Sequence, residues 1–358
     1  MSKKILLVDD SALMRTVLSD IINSDSRFQV VDKAKDGIEA LELLKKNSYD
    51  AVILDVNMPR MDGITLLKEI NKNKIRAKVM MCSTDTKEGA KVTLDSLELG
   101  ALDFIHKPDR ASECRGDDFT KTLIRTLDAV CESKAPVIST KAFSLDEMKA
   151  SRKVVELVGK HADKVTGNRI VAIASSTGGP RALQAVIPKL PKNLKTPVVL
   201  VQHMPEGFTA SLAERLDSLS EIKVKEAAEG DVLQAGTVYI AKGGKHMHII
   251  TSGGKHTIHY VDGPTREGVR PCANFMYESL MDSDYDMICC VVLTGMGADG
   301  TEGIKNLKSV KKVHVIGQDE ASCTVYGMPK AVATAGLVNQ VVTLDDVAQE
   351  IIMNVGVK

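Results

Sequence analysis

Hydrophobic residues in the first third of the chain form short runs that alternate with segments of helical spacing. The helical segments place apolar residues three or four positions apart, as in Leu13, Val17 and Ile21, a spacing typical of a helix with one buried face. Five such strand–helix repeats predict a parallel sheet covered by helices on both sides. The predicted strands are Ile5–Val8, Val30–Ala34, Ala51–Leu54, Val79–Ser83 and Leu102–Ile105, followed by a last helix over 118–132.

The middle of the chain, residues 131–167, follows neither pattern well. It contains Pro136, scattered serines and threonines, and one mildly amphipathic stretch over 145–158. We interpret this segment as a linker that is helical in part.

The alternation returns over residues 168–358, which predicts a second domain of the same class. A glycine-rich segment over 223–262 interrupts it and predicts an inserted β-hairpin. The fold class is therefore α/β, with two doubly wound parallel-sheet domains. The main predicted elements are strands Ile170–Ile173, Val198–Val201, Met287–Leu293, Val313–Ile316 and 338–343, and helices Arg181–Ile187, Phe208–Leu219, 272–281 and 301–308.

Composition narrows the possible partners. Lys plus Arg equals Asp plus Glu at 47 each, and the chain has no Trp, so neither charge nor stacking residues favour nucleic acid. No apolar stretch approaches the roughly 20 residues that a membrane span requires, so we expect no direct membrane insertion. The seven cysteines contain no C-x-x-C pair, which is typical of reduced residues in a cytoplasmic protein.

Several polar residues of the first domain follow predicted strands, where open α/β sheets bind ligands. Asp9 and Asp10 follow the first strand, and Asp55 follows the third. Three converging carboxylates would repel one another unless a hard cation such as Mg²⁺ lay between them. Ser83 ends the fourth strand and Lys107 follows the fifth, and both could bind phosphate oxygens. The alternative is that the acids are solvated residues capping helices.

This arrangement resembles response-regulator receiver domains, which have a flavodoxin-like fold. The resemblance implies that Asp55 accepts phosphate from a chemotaxis sensor histidine kinase. It also implies that Asp9, Asp10, Asp55 and the backbone of Asn57 hold Mg²⁺, and that Ser83 and Lys107 form the phosphate-responsive switch. On this basis residues 1–130 form the receiver domain. The motifs that carry the resemblance are Val8-Asp9-Asp10-Ser11, Leu54–Gly63 and Lys107-Pro108.

Three motifs of the second domain also follow predicted strands. Ser176 lies in a Ser-Thr-Gly-Gly turn, His203 follows the next strand, and Asp299 follows the strand that ends at Leu293. A serine nucleophile needs a nearby base, and that base needs an orienting carboxylate. These residues supply one of each, although Ser175 makes the nucleophile ambiguous by residue type alone.

These segments resemble the catalytic domain of the chemotaxis methylesterases, the CheB family, over residues 168–358. The resemblance implies a Rossmann-like domain with Ser176 as nucleophile, His203 as base and Asp299 as orienter, with Thr177 and the Met296 backbone supporting the oxyanion. It implies a phosphorylation-activated cytoplasmic monomer that demethylates and deamidates methyl-accepting chemotaxis receptors, with no cofactor for the ester reaction. Its motifs are Ser176–Pro180, Gln202–Pro205, Lys245–Met247, Asp262–Pro264, Arg270-Pro271, Leu293–Gly300 and Glu320–Cys323.

Two other interpretations stay open. The second domain could be a binding module that docks a receptor or a nucleotide through the Ser-Thr-Gly-Gly turn, although the chain lacks a P-loop motif. The hairpin could also carry a zinc site on four histidines, but hairpin faces often carry polar residues without a metal. The four are His246, His248, His256 and His259.

Overall fold

The computed structural model describes residues 2–83, 87–108, 110, 113–134 and 166–357. These residues divide into two compact units, Met1–Thr140 and Lys141–Lys358. Most of the predicted linker, residues 135–165, lies outside the described residues, and so does its amphipathic stretch. In the described part of the chain, no helix has both the length and the apolar character that crossing a membrane would require.

The first unit contains a five-stranded parallel sheet with strand order β2-β1-β3-β4-β5. This is the order of the flavodoxin-like class, and it confirms the predicted fold of the first domain. The strands are β1 (Lys3–Val8), β2 (Phe28–Ala34), β3 (Ala51–Asp55), β4 (Val79–Ser83) and β5 (Asp103–His106). The helices are α1 (Ala12–Ser24), α2 (Gly37–Lys46), α3 (Gly63–Lys72), α4 (Lys87–Glu98) and α5 (Asp117–Glu132), with a short 3₁₀ turn at Glu113–Arg115.

Side-chain caps explain where the first three helices begin. Ser11 accepts the Met14 amide at the start of α1, and Asp36 and Asp62 serve the same role for α2 and α3. A capping oxygen satisfies amide groups that have no partner within the helix. Each cap lies in the loop between a strand and the next helix, and several polar residues of the first site lie in the same loops.

The second unit contains a seven-stranded sheet with order β14-β13-β12-β6-β7-β9-β8, in which every neighbouring pair is parallel. Its central strands are buried on both faces, so they are continuously apolar. The strands are β6 (Arg169–Ser175), β7 (Val198–Gln202), β8 (Lys223–Glu226), β9 (Thr237–Ile240), β10 (His246–Ser252), β11 (Lys255–Val261), β12 (Met287–Val292), β13 (Val313–Gln318) and β14 (Gln340–Val342). The helices are α6 (Gly179–Val186), α7 (Phe208–Leu219), α8 (Ala273–Ser279), α9 (Thr301–Val310), α10 (Met328–Thr334) and α11 (Val347–Val355), with a 3₁₀ turn at Ile187–Lys189.

The predicted hairpin region, 223–262, is only partly a hairpin. Strands β10 and β11 pair in antiparallel fashion as a separate two-stranded sheet. Strands β8 and β9 instead pair in parallel and extend the main sheet beyond β7. Their short length and the turn residues between them suggest a hairpin in sequence, but β9 is buried along its whole length, which favours a place inside the sheet.

The hydrophobic core of the first unit can be tested by substitution. Leu7 in β1 is fully buried, whereas Leu13 in α1 is 64% exposed. We expect Leu7→Ala to lower the free energy of unfolding of the first unit by about 2–5 kcal/mol, because the substitution removes buried methyl groups and leaves a cavity. Urea unfolding of the full chain measures the effect. The matched Leu13→Ala variant should stay within about 0.5 kcal/mol of the unmodified protein, and an equal loss in both variants would contradict the assigned core.

Candidate functional sites at the carboxyl ends of the strands

In the first unit, Lys107 joins two aspartates from different strands. Its Nζ lies 2.6 Å from Asp9 Oδ2 and 2.7 Å from Asp55 Oδ2. All three side chains are buried, so the ion pairs act in a medium that screens charge poorly. Burial raises the pKa of Asp55, against the lowering effect of Lys107. The same two carboxylates raise the pKa of Lys107 and hold its positive charge.

The acids of this site have the chemistry of a magnesium site. Asp9, Asp10 and Asp55 each offer an oxygen, and these oxygens lie within 4.8 Å of one another. Asp10 is exposed, so an ion from solvent could replace the water at its carboxylate. Three carboxylates at one sheet edge match the oxygen ligands that Mg²⁺ prefers, and this agrees with the three acidic ligands predicted from sequence.

The remaining predicted residues of the first site lie around the same edge. Ser83 is buried at the end of β4, and its main-chain oxygen accepts the Lys107 amide at 2.7 Å. Asn57 is exposed in the loop that follows β3. Strands β3, β4 and β5 are neighbours, so the three segments lie beside one another.

The second site forms where β6 lies between β7 and β12. Ser176 directly follows β6, His203 directly follows β7, and Asp299 lies in the loop after β12. The parallel register brings the three strand ends to one edge, with Ser175 opposite Gln202. This adjacency explains why residues separated by about a hundred positions meet.

His203 and Asp299 are in direct contact. His203 Nε2 lies 2.8 Å from Asp299 Oδ2, and both side chains are largely buried. Burial alone would raise the pKa of Asp299, but the hydrogen bond and charge of His203, together with contacts from Cys272 and the Ala273 amide, lower it to about 2. The ionised carboxylate of Asp299 can only accept a hydrogen bond. His203 Nε2 therefore carries a proton and donates a hydrogen bond to Asp299.

Asp299 has three further partners at the start of α8. It accepts hydrogen bonds from the amides of Ala273 at 2.6 Å and Asn274 at 3.0 Å, and Cys272 Sγ lies 3.0 Å from Oδ1. Asn274 Oδ1 also accepts the amide of Gly300, directly after Asp299. The carboxylate is therefore held at a defined position beside the imidazole ring.

The turn after β6 orients Ser176. Its amide donates to Thr294 O at 3.0 Å, and its own carbonyl accepts the Gly179 amide at 2.7 Å. Gly178 between them has a left-handed backbone (φ +76°), and a Cβ there would come within 2.4 Å of Thr324 Oγ1. Helix α6 begins at Gly179, two residues earlier than predicted, because the turn is this tight.

The two candidate serines differ in burial. The Ser175 side chain is fully buried, and its hydroxyl donates to Gln202 Oε1 at 2.7 Å. Ser176 is half-buried at the sheet edge. Among the described residues, no hydrogen bond joins Ser176 Oγ to His203, so the structure pairs His203 with Asp299 and leaves the serine beside them.

Thr177 lies in the turn itself, and Met296 lies in the loop after β12. Thr177 is buried, and its carbonyl accepts the Thr294 hydroxyl at 3.0 Å. Met296 is half-buried in the loop after β12. Thr294 thus ties the two segments together with both its backbone and its side chain.

Sequence reasoning missed several residues that support this site. Gln202 stands out in the sequence only as part of the Gln202–Pro205 motif, yet its side-chain amide donates to the main-chain oxygens of Ser176 and His203. Cys272 and Asn274 carried no signal at all, because their contacts with the Asp299 loop depend on how α8 packs. A polar residue at a buried strand end, as Gln202 is, was the one available signal.

The hairpin histidines do not form a metal-ligand cluster. His256 Nε2 lies 2.6 Å from Asp284 Oδ1, and His259 Nδ1 lies 2.6 Å from Glu229 Oε1. In the part of the chain that the structure describes, Asp9, Asp10 and Asp55 form the one group of three or more acidic, histidine or cysteine ligands. The zinc interpretation therefore has no support in the geometry.

Comparison with known proteins identifies the family of each unit. The family profile described as CheB methylesterase matches residues 171–351, and the response regulator receiver domain matches residues 5–115. The chain belongs to the CheB methylesterase family. It joins that enzyme domain to a receiver domain in one polypeptide, as the sequence motifs predicted.

Relatives of known name cover nearly the whole chain. A protein-glutamate methylesterase/protein-glutamine glutaminase of Pyrococcus abyssi is 41% identical over 349 residues, covering 98% of this chain and 92% of that protein. The protein of the same name from Bacillus subtilis is 41% identical and covers 97% of both chains. The crystal structure of the Thermotoga maritima CheB methylesterase catalytic domain is 42% identical, with a TM-score of 0.50, and covers 52% of this chain and 98% of that domain.

The low pKa of Asp299 predicts how stability depends on pH. A carboxylate whose pKa falls from 3.8 to about 2 on folding stabilises the fold above pH 4, and this contribution is lost as pH falls toward 2. We expect Asp299→Asn to flatten the pH dependence of unfolding of the second unit in this window, measured by urea titration. Asp262→Asn is the control, because its side chain is 81% exposed. A pH dependence unchanged by Asp299→Asn would contradict the assignment.

Proposed function

We propose that the second unit hydrolyses glutamate γ-methyl esters, and deamidates specific glutamines, on methyl-accepting chemotaxis receptors. The relatives named protein-glutamate methylesterase/protein-glutamine glutaminase support both activities. The observation that carries the proposal is the His203–Asp299 contact of 2.8 Å beside the strand end that bears Ser176. An imidazole held by a buried carboxylate is the arrangement that serine acyl transfer requires.

In the proposed reaction, Ser176 is the nucleophile and His203 is the base. Because Nε2–H donates to Asp299, the lone pair of the neutral ring lies on Nδ1, which takes the proton from Ser176 Oγ. Ser176 Oγ adds to the γ-carbonyl carbon of the substrate. We propose that Thr177 and the Met296 amide stabilise the tetrahedral oxyanion. His203 returns the proton to the leaving methoxide or amine, which departs as methanol or ammonia.

A water molecule completes the cycle. His203 Nδ1 takes a proton from water, the hydroxide adds to the acyl-enzyme carbonyl, and Ser176 leaves with the proton that His203 returns. The product is the free glutamate side chain. Besides the receptor and water, these steps use only groups of the polypeptide, so we propose that the ester reaction needs no cofactor.

The first unit receives the signal in this proposal. Asp55 accepts a phosphoryl group from a chemotaxis histidine kinase, and Asp9, Asp10, Asp55 and the Asn57 carbonyl hold Mg²⁺. The ion supplies charge neutralisation for the anionic phosphoryl group. Lys107 binds the new phosphate oxygens, and Ser83 supplies a hydroxyl to them. Phosphorylation adds roughly two negative charges to this pocket and activates the enzyme.

The proposed organisation follows from these roles. Residues 1–130 form the receiver domain, 131–167 the linker and 168–358 the catalytic domain. The protein acts as a cytoplasmic monomer between its kinase and its receptors, and it contacts neither nucleic acid nor the lipid bilayer. It thereby supports sensory adaptation in a two-component pathway.

The nucleophile can be tested with a matched pair of variants. Ser176→Ala should lower methanol release from methylated receptor membranes by roughly a thousandfold or more, because loss of the nucleophile removes the covalent route. Ser175→Ala should release methanol at a rate close to that of the unmodified protein, because the Ser175 hydroxyl is buried. The opposite order of activities would identify Ser175 as the nucleophile.

The receiver can be tested through its effect on the same assay. With Mg²⁺ and a small-molecule phosphodonor, the unmodified protein should take up phosphate and release methanol faster. Asp55→Asn should do neither, because an amide cannot accept the phosphoryl group. Asp20→Asn, a change of an exposed aspartate, should respond as the unmodified protein does, and stimulation of Asp55→Asn would contradict the proposed acceptor.

A further inference from the structure

One buried side chain connects the two strand ends of the second site. Gln202 is the last residue of β7 and is 1% exposed. Its Nε2 donates to Ser176 O at 2.9 Å and to His203 O at 3.2 Å. A single amide group therefore contacts the main chain of both residues, although they lie on different strand ends.

The partners of this amide determine its orientation. Main-chain carbonyls only accept hydrogen bonds, so the NH₂ group must face Ser176 and His203. The opposite atom, Oε1, accepts the hydroxyl of Ser175 at 2.7 Å. Reversing the amide would place Oε1 against two carbonyl oxygens and remove the donor that those carbonyls accept, which is costly.

The neighbouring helix leaves room for the amide. A Cβ at Gly179 would lie 1.9 Å from Gln202 Oε1 and 3.0 Å from Ser175 Cβ. Any side chain at the first residue of α6 would therefore displace Gln202. The glycine of the Ser-Thr-Gly-Gly turn thus has a packing role as well as a conformational one.

We infer that Gln202 is a positioning residue that sets the spacing between Ser176 and His203. This inference rests on the proposed function, in which these residues are nucleophile and base. The Ser176 backbone also has Thr294 and Gly179 as partners. His203 N donates to Ser175 O at 3.1 Å as part of the sheet. Among the described residues, however, the hydrogen bond that reaches the carbonyl of His203 comes from Gln202. The amide thus couples the position of the imidazole to that of the serine turn.

Loss of this coupling should affect chemistry more than binding. Gln202 is buried and offers almost no surface to a bound receptor, so we expect receptor affinity not to depend on it. A shift of about 1 Å between reacting groups can lower a rate by about 100-fold. We therefore expect a lower kcat with an unchanged KM, and slower reaction of Ser176 with a sulfonyl fluoride.

The test compares Gln202→Leu and Gln202→Asn with Ile352→Val in the full-length protein. Leucine removes both donors, and asparagine keeps the amide but is one methylene too short to reach both carbonyls. Ile352→Val removes a buried methylene from α11 and controls for a loss of stability alone. Methanol release gives kcat and KM, phenylmethylsulfonyl fluoride gives the reactivity of Ser176, and thermal unfolding gives the Tm.

We expect kcat and the rate of serine modification to fall by about 100-fold in both Gln202 variants, with KM unchanged. Both rates should stay near the unmodified values in Ile352→Val. If Gln202→Leu does not fold, Gln202→Asn gives the comparison. Gln202 variants with normal kcat, or a fall in kcat that follows the loss of Tm equally in all three variants, would overturn the inference. Ser176→Ala distinguishes a failure of this inference from a failure of the proposed function. If Ser176→Ala is active, the proposed function itself is wrong.

Discussion

The parallel packing of β7, β6 and β12 is the constraint on which the catalytic half of the molecule depends. Each strand is buried along its length, so the three lie side by side and their carboxyl ends share one edge. Chain segments that are remote in sequence then become neighbours. The His203–Asp299 contact exists because this sheet holds the two loops at a fixed separation.

Both units bury charged side chains at the carboxyl ends of their strands. A buried charge is unfavourable unless a partner compensates it. In the first unit, one lysine compensates two aspartates, and an exposed acid beside them completes an oxygen-rich site. In the second, Asp299 is compensated by an imidazole, two amides and a thiol. The shared α/β framework therefore supports two different chemistries.

The largest error in the sequence interpretation concerned the strands after α7. Alternation and turn residues predicted one hairpin over 223–262, whereas β8 and β9 extend the main sheet and only β10 and β11 form the hairpin. Local patterns identify strands well but not their partners, because pairing is decided by burial across the whole sheet. Helices α10 and α11 were also not predicted; α10 is only seven residues long, too short for periodicity to be distinctive.

Apolar periodicity and the motifs after each strand are local properties of the chain, so they were enough to predict the class of both domains and the polar residues that follow their strands. Asp9, Asp55, Ser176, His203 and Asp299 were all predicted in this way. The folded chain was needed to show which atoms meet: Lys107 between two acids, the amides of α8 around Asp299, and the Gln202 amide between two carbonyls. These contacts join residues far apart in sequence, so their geometry exists only once the sheets have formed.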